Sequence, residues 1–154
     1  IFNSMIKFLQ CEKITTVAFA QGGDFVGGVN GQFNKKVLRK AMNSFFCDVD
    51  KPFTFVGRIN EDVNTYTSLG QRGVVMLTIT DFMLNQLQTQ SNKGGMTDVY
   101  LASGTYLKSF YSVMYSPSCV KVAIMNTENK RIHHKVNWNN CSPKILNERW
   151  KKVE

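Results

Sequence analysis

The chain has 154 residues, 43% hydrophobic and 19% charged, a balance that fits one globular domain with its own core and makes order rather than disorder the default. The formal net charge of +8 and isoelectric point near 9.4 point to an anionic partner: nucleic acid, a phosphorylated ligand or an acidic surface. No run approaches the ~18 continuous apolar residues of a membrane span, and the opening residues do not read as a signal peptide.

Ile14 to Ala20 (ITTVAFA) reads as a buried strand. The glycine-rich stretch 22–31 lacks the G-K-[ST] ending of a P-loop and the spacing of a dinucleotide fingerprint, so a hairpin or lid is expected. From Asn34 a helix is expected to about Phe46, with Val37, Leu38, Ala41, Met42 and Phe45 on its apolar face. Lys35, Lys36, Arg39 and Lys40 form a basic stripe, either solvated or in contact with phosphate. CDVDKP (47–52) is a turn; its Asp48 and Asp50 form a D-x-D pair of the kind that can hold a divalent cation, but such short matches are common by chance and a surface turn accounts for it better.

The most informative segment follows. An apolar run containing Phe53, Phe55 and Val56 reads as a strand that stops at Gly57; Arg58, Asn60, Glu61, Asp62 and Asn64 then crowd into seven residues. Strand ends and loops are where scaffolds hold polar groups for chemistry. Two neighbouring carboxylates repel, which suits one of them to general-base work. The same pair also suits the first turn of a helix.

Val74 to Thr80 reads as a second buried strand. The polar loop 88–98 carries Lys93, Gly94 and Gly95, a backbone able to approach an anion closely or simply a mobile loop. Thr97 starts a long helix, ended by Pro117, with Val99, Ala102, Tyr106, Phe110 and Val113 as its buried side and Lys108 in solvent. Cys119 to Met125 and Arg131 to Trp138 read as strands, and Ser142 opens a basic terminal helix that includes Trp150. His133 and His134 are neighbours in a strand and are expected on opposite faces. The order of elements gives an α/β domain with a mixed sheet flanked by helices.

The four cysteines, Cys11, Cys47, Cys119 and Cys141, form no C-x-x-C pair, which excludes a zinc ribbon and a thioredoxin-like motif. Cys47 and Cys119 lie in apolar runs and read as reduced core residues, as in a reducing cytoplasm. The chain opens on Ile1 rather than methionine, as in a processed product or a fragment.

Two motifs, GRINEDVNTY (57–66) and QTQSNKGGMTDVY (88–100), resemble those of the glycosyltransferases encoded beside TET/JBP-type base hydroxylases in bacteriophages. The matching residues are Arg58, Asn60, Glu61 and Asp62, then Gln88, Thr89, Lys93, Gly94, Gly95, Thr97, Asp98 and Tyr100, with the best agreement from Ala41 to Tyr115. The resemblance implies a GT-A-like fold and transfer of a sugar from a nucleotide-sugar to a hydroxymethylated pyrimidine in DNA, inside the host bacterial cytoplasm. It implies Asp62 as catalytic base in an inverting mechanism, with Glu61 beside it. Arg58, Asn60, Asn64, Lys93, Gly94, Gly95, Thr97 and Asp98 would bind substrate. A divalent metal, Mn or Mg, accompanies the donor, and His133 or His134 would complete its site. The family's acidic metal-binding motif lies well upstream of Asn-Glu-Asp. Asp48 and Asp50 sit too close to Asp62 to be that motif, so the chain is expected to be a C-terminal, acceptor-side part of a larger transferase.

Two other functions fit parts of the pattern. One is a nucleic-acid-binding module derived from such an enzyme but without activity. The other is a metal-dependent nuclease using Glu61 and Asp62, which lacks its usual E-x-K companion.

Overall fold

A computed structural model describes residues 1–21, 44–85, 97–125 and 130–142. Strand β1 (Ile14–Gln21) is the axis of the fold. It is paired antiparallel with the short β2 (Phe45–Cys47) and parallel with β3 (Val75–Leu84), giving the mixed sheet order β2-β1-β3. Val17 faces Phe46 on one side and Leu77 on the other. β1 reads as a nearly continuous apolar run because both of its faces are covered. Met5 and Leu9 of helix α1 (Phe2–Leu9) pack with Val17, Phe19, Phe46, Leu77 and Ile79 on one face. On the other, Ala18 packs with Tyr66 of helix α2 (Glu61–Gln71), joined by Phe45, Met76 and Trp138.

A second unit adjoins α2. Helices α3 (Thr97–Ser103) and α4 (Tyr106–Tyr115) are followed by the antiparallel pair β4 (Val120–Met125) and β5 (Arg131–Val136) and a 3-10 turn, Trp138–Cys141. α4 lies across both strands of this ribbon and against α2. Cys119, Val120 and Cys141 form its small core with Val113, Val136 and Trp138, so Trp138 bridges this cluster and the one around Tyr66. The mixed α/β architecture follows the sequence reading. No helix among the described residues is long and apolar enough to cross a membrane.

Several local expectations are corrected. Helix α1 was not anticipated from the sequence. The helix expected to run to Phe46 does not include Phe45 and Phe46, because Phe45–Cys47 is the edge strand β2; residues 34–43, with the basic stripe, lie outside the described residues, as do the glycine-rich stretch 22–31 and residues 143–154. Cys47 is exposed, since a three-residue edge strand leaves it on the open side, whereas Cys119 and Cys141 are buried; all four thiols are free. Residues 52–56 belong to no strand. The long helix from Thr97 is broken: Gly104, at φ +58, takes a left-handed conformation closed to most side chains and separates α3 from α4. The apolar stripe expected to be buried is divided: Ala102, Tyr106 and Phe110 are exposed, the last two at 58% and 40%, whereas Val113 packs on the small core, and Ser109, Ser112 and Ser116 are buried. Trp138 lies past the end of β5, in the 3-10 turn.

The D-x-D turn has a structural job. The Asp50 N–H donates to Asp48 Oδ1 at 3.0 Å, and Lys51 Nζ lies 3.2 Å from Asp48 Oδ2. The same ammonium donates to the carbonyls of Leu9 (2.6 Å) and Cys11 (2.9 Å), closing the C-terminal end of α1. The Asp50 amide and the Lys51 ammonium hold the Asp48 carboxyl below its usual range.

α2 approaches the 3-10 turn so closely at Gly70 that a Cβ there would lie 2.5 Å from the Cys141 carbonyl oxygen. Gly70→Ala should therefore destabilise the protein by about 1–3 kcal/mol despite alanine's better helix propensity. Urea unfolding of the two proteins measures this; a Gly70→Ala protein as stable as the parent would mean that the two elements do not meet there.

Candidate active site

The segment from Val56 to Asn64 is held from below by α2 and from the side by α4. The Val56 N–H donates to Thr65 Oγ1 at 2.8 Å. The Asn64 amide nitrogen donates to the carbonyls of Val56 (3.1 Å) and Ile59 (2.9 Å). Asn64 is fully buried, so its amide serves as an internal brace for the loop. Its Oδ1 and Thr16 Oγ1 are the buried side-chain oxygens without a hydrogen-bond partner among the described residues.

Gly57 has φ +85, and a Cβ there would meet Tyr111 Cε1 at 2.8 Å and Asn64 Nδ2 at 3.0 Å. Only glycine satisfies both the turn and the close approach. The next residue, Arg58, is exposed, and its N–H donates to the Tyr111 hydroxyl at 3.3 Å. The Tyr111 and Tyr115 hydroxyls are 3.4 Å apart. The Tyr115 hydroxyl and then the Arg58 amide draw the Tyr111 phenol below its ordinary pKa, while Tyr115 is pushed up by the same contact.

Asn60 begins α2 in a left-handed conformation, φ 51 and ψ 39, the one non-glycine residue with positive φ among those described. Asparagine tolerates this region better than most residues, yet it remains sparsely populated and needs support. The support comes from α4. The Asn60 amide nitrogen donates to the Lys108 carbonyl at 2.8 Å and to Ser112 Oγ at 2.9 Å, and lies 3.4 Å from His134 Nδ1. Turned this way, the side chain makes no cap bond to the first turn of α2. Two further serines extend the polar contact. Thr67 Oγ1 and Ser116 Oγ lie 2.9 Å apart, and Ser109 Oγ donates to the Thr105 carbonyl within α4.

Glu61 and Asp62 occupy the first turn of α2, Glu61 exposed and Asp62 half-buried. Their charge is favourable at the positive end of the helix. Successive residues on a helix leave it about 100° apart, so these two carboxylates do not face one another. Of the other residues singled out in the sequence, Asp98 is exposed in the first turn of α3, well away in the chain from the Asn-Glu-Asp turn, and Thr97 is the first residue of that helix. Lys93, Gly94 and Gly95 lie outside the described residues.

His133 and His134 do not separate as a regular strand would have it: their rings are tilted against each other with centroids 4.3 Å apart. Two-stranded ribbons twist strongly, and β5 has β4 as its single strand neighbour among the described residues, so the alternation of faces is relaxed. Both rings line a cavity of ≈ 180 Å³ with Ala123, Ile124, Met125 and Lys135. No group of three or more His, Cys, Asp or Glu able to hold a metal ion occurs among the described residues.

Two measurements follow from this bracing. Replacing Asn64 by Asp sets a carboxylate against two carbonyl oxygens, so Asn64→Asp should destabilise the fold by about 3 kcal/mol or more. Equal melting temperatures for the two proteins would show that Asn64 does not brace the loop. Burial, aided by the charges of Asp62 and Glu61, pushes the Tyr66 phenol up to about 12. Its folded pKa exceeds the unfolded value, so its contribution is complete below about pH 10 and is lost as pH rises towards 12. The fall in stability across that window should be shallower in Tyr66→Phe; identical slopes would contradict the burial.

The family model of the TET-Associated Glycosyltransferase, TAGT, matches residues 1–95. The match includes Arg58 to Asn64 and the Gln88–Gly95 part of the second motif. It also reaches back over α1 and β1, further than the resemblance beginning near Ala41, and stops short of Thr97, Asp98, Tyr100 and all of α4. No curated protein and no solved structure matches the chain. With 95 of its 154 residues matched, the chain belongs to the TET-Associated Glycosyltransferase family.

Proposed function

We propose that this chain carries the acceptor side of a glycosyltransferase that moves a sugar from a nucleotide-sugar onto the hydroxymethyl group of a modified pyrimidine in DNA, on a GT-A-like fold. Membership of a glycosyltransferase family supports the reaction class. The observation that carries the finer reading is the braced Arg58–Asp62 turn. Two internal amides, Asn60 and Asn64, hold its backbone, and the carboxylates of Glu61 and Asp62 stand at the start of a helix beside an exposed arginine. Rigid presentation of a base and a cation is what substrate positioning requires.

In the inverting reaction, the acceptor hydroxyl oxygen attacks the anomeric carbon from the face opposite the leaving group. The bond from that carbon to the phosphate oxygen breaks, and the nucleoside diphosphate departs with the electron pair. Asp62 takes the hydroxyl proton as the new carbon–oxygen bond forms. Glu61 orients the acceptor. Arg58 takes a phosphate, as a guanidinium fork does well. Asn60 and Asn64, both buried, position this turn and leave substrate contact to its exposed members. The chain's +8 charge supplies phosphate contacts independent of sequence, and the reacting base must leave the duplex to reach Asp62.

A nucleotide-sugar donor with Mn or Mg belongs to this proposal, and His133 or His134 would give the ion one nitrogen ligand beside the oxygen ligands that hard cations prefer.

Asp62→Asn should keep the fold, because Asp62 is only half-buried, and lower sugar transfer to hydroxymethylated DNA by roughly 10²–10⁴-fold. Transfer is read by mass spectrometry of digested DNA, with circular dichroism as the control for folding. Unchanged turnover by the variant would remove Asp62 from the role of base. Salt-dependent DNA binding with no transfer by the parent protein would instead identify a binding module.

A further inference from the structure

The sequence reading placed Tyr106 and Phe110 of α4 in the core, and the structure leaves both of them, and Tyr115 with them, exposed. Tyr115 retains 42% of its surface although it lies beside the braced turn at Gly57. Its ring and that of Tyr111 are 5.3 Å apart by centroid, and both press on the bare Cα of Gly57: a Cβ built there would be 2.8 Å from Tyr111 Cε1 and 3.2 Å from Tyr115 Cε2. The absence of a side chain at Gly57 lets the loop form a firm backing for both rings. The Tyr111 hydroxyl is engaged by the Arg58 N–H, which ties the aromatic pair to the residue carrying the exposed guanidinium.

We propose that Tyr115, backed by Tyr111, is a stacking platform for an unpaired nucleobase whose adjoining phosphate pairs with Arg58. The platform gives the reading of the chain as a base-modifying transferase its substrate-gripping residues, and it rests on that reading for its place in the reaction. Aromatic rings grip unstacked bases through their π-faces, whatever the sequence, and an arginine alongside takes the backbone. A rigid ring on a helix, held by a glycine turn, loses little freedom on binding. Fixing the base on α4 sets it beside the turn that carries Asp62, whereas duplex DNA, with its bases stacked inside, presents only phosphate to the same surface.

The test is fluorescence anisotropy of the full chain at one fixed salt concentration, with hexathymidylate and with an abasic hexamer of equal charge. The parent protein should bind hexathymidylate at least fivefold tighter than the abasic strand. Tyr115→Leu should bring that ratio close to one without weakening abasic binding, and Tyr115→Phe should keep it. If Tyr115→Leu does not fold, Tyr115→Met serves the same purpose. A parent ratio near one, or a ratio unchanged in the ring-less variant, overturns the platform. A parallel arm compares UDP with inorganic diphosphate: a UDP preference lost with the ring assigns the platform to the donor's base, and its persistence with loss of the hexathymidylate preference assigns it to DNA. Sugar transfer is scored separately. A base preference without transfer would defeat the transferase and leave the platform standing, while transfer unaffected by Tyr115→Leu would do the reverse.

Discussion

The side-chain amide of Asn60 is the contact on which the site depends. It spans the gap between two helices distant in sequence, donating to the Lys108 carbonyl and to Ser112 Oγ on α4 while its own backbone opens α2. A left-handed residue at that point turns the chain sharply into the helix and sets the direction in which Glu61 and Asp62 leave it. Such a conformation persists only where surroundings over-determine it, and here they do so through paired, buried hydrogen bonds. Without them the Asn60 amide would be a buried donor lacking acceptors, a costly arrangement.

This contact explains why α4 is built inside out. A helix laid against an apolar sheet should bury its apolar stripe. α4 instead buries Ser109, Ser112 and Ser116, because the neighbour it must satisfy is the polar start of α2 and its Thr67 hydroxyl. Small hydroxyl side chains also let the two helices approach closely. Tyr106, Phe110 and Tyr115 are left towards solvent as a consequence. α4 lies beyond the residues matched by the family model, so the bracing of the motif is shared between α2, inside the match, and α4, outside it.

The sequence was readable where one physical signal dominated. Continuous apolar runs identified β1, β3 and β4, and the acids at 61–62 marked the first turn of α2. It misled where hydrophobic periodicity was the only guide. The stripe through Tyr106 and Phe110 is real, but a buried serine face produces no hydrophobic signal. Phe45 looked like the end of a helical stripe, yet pairing with Ala18 across the sheet makes it a strand residue, a long-range constraint that no local pattern carries. The motif was legible as a cluster of chemistry-bearing residues. Its bracing was not, because the hydrogen bonds of the Asn60 and Asn64 amides reach partners 48 and 5 positions away, which no local pattern carries.

The central claim, that α4 fixes the Arg58–Asp62 turn through Asn60, is tested most directly by a double-mutant cycle between Asn60→Ala and Ser112→Ala, read by denaturant unfolding. Direct bonding predicts a coupling energy of about 1 kcal/mol or more, with the second substitution costing little once the first is made. Additive losses, with coupling near zero, would show that the two side chains do not act on each other and that the turn is held by something else.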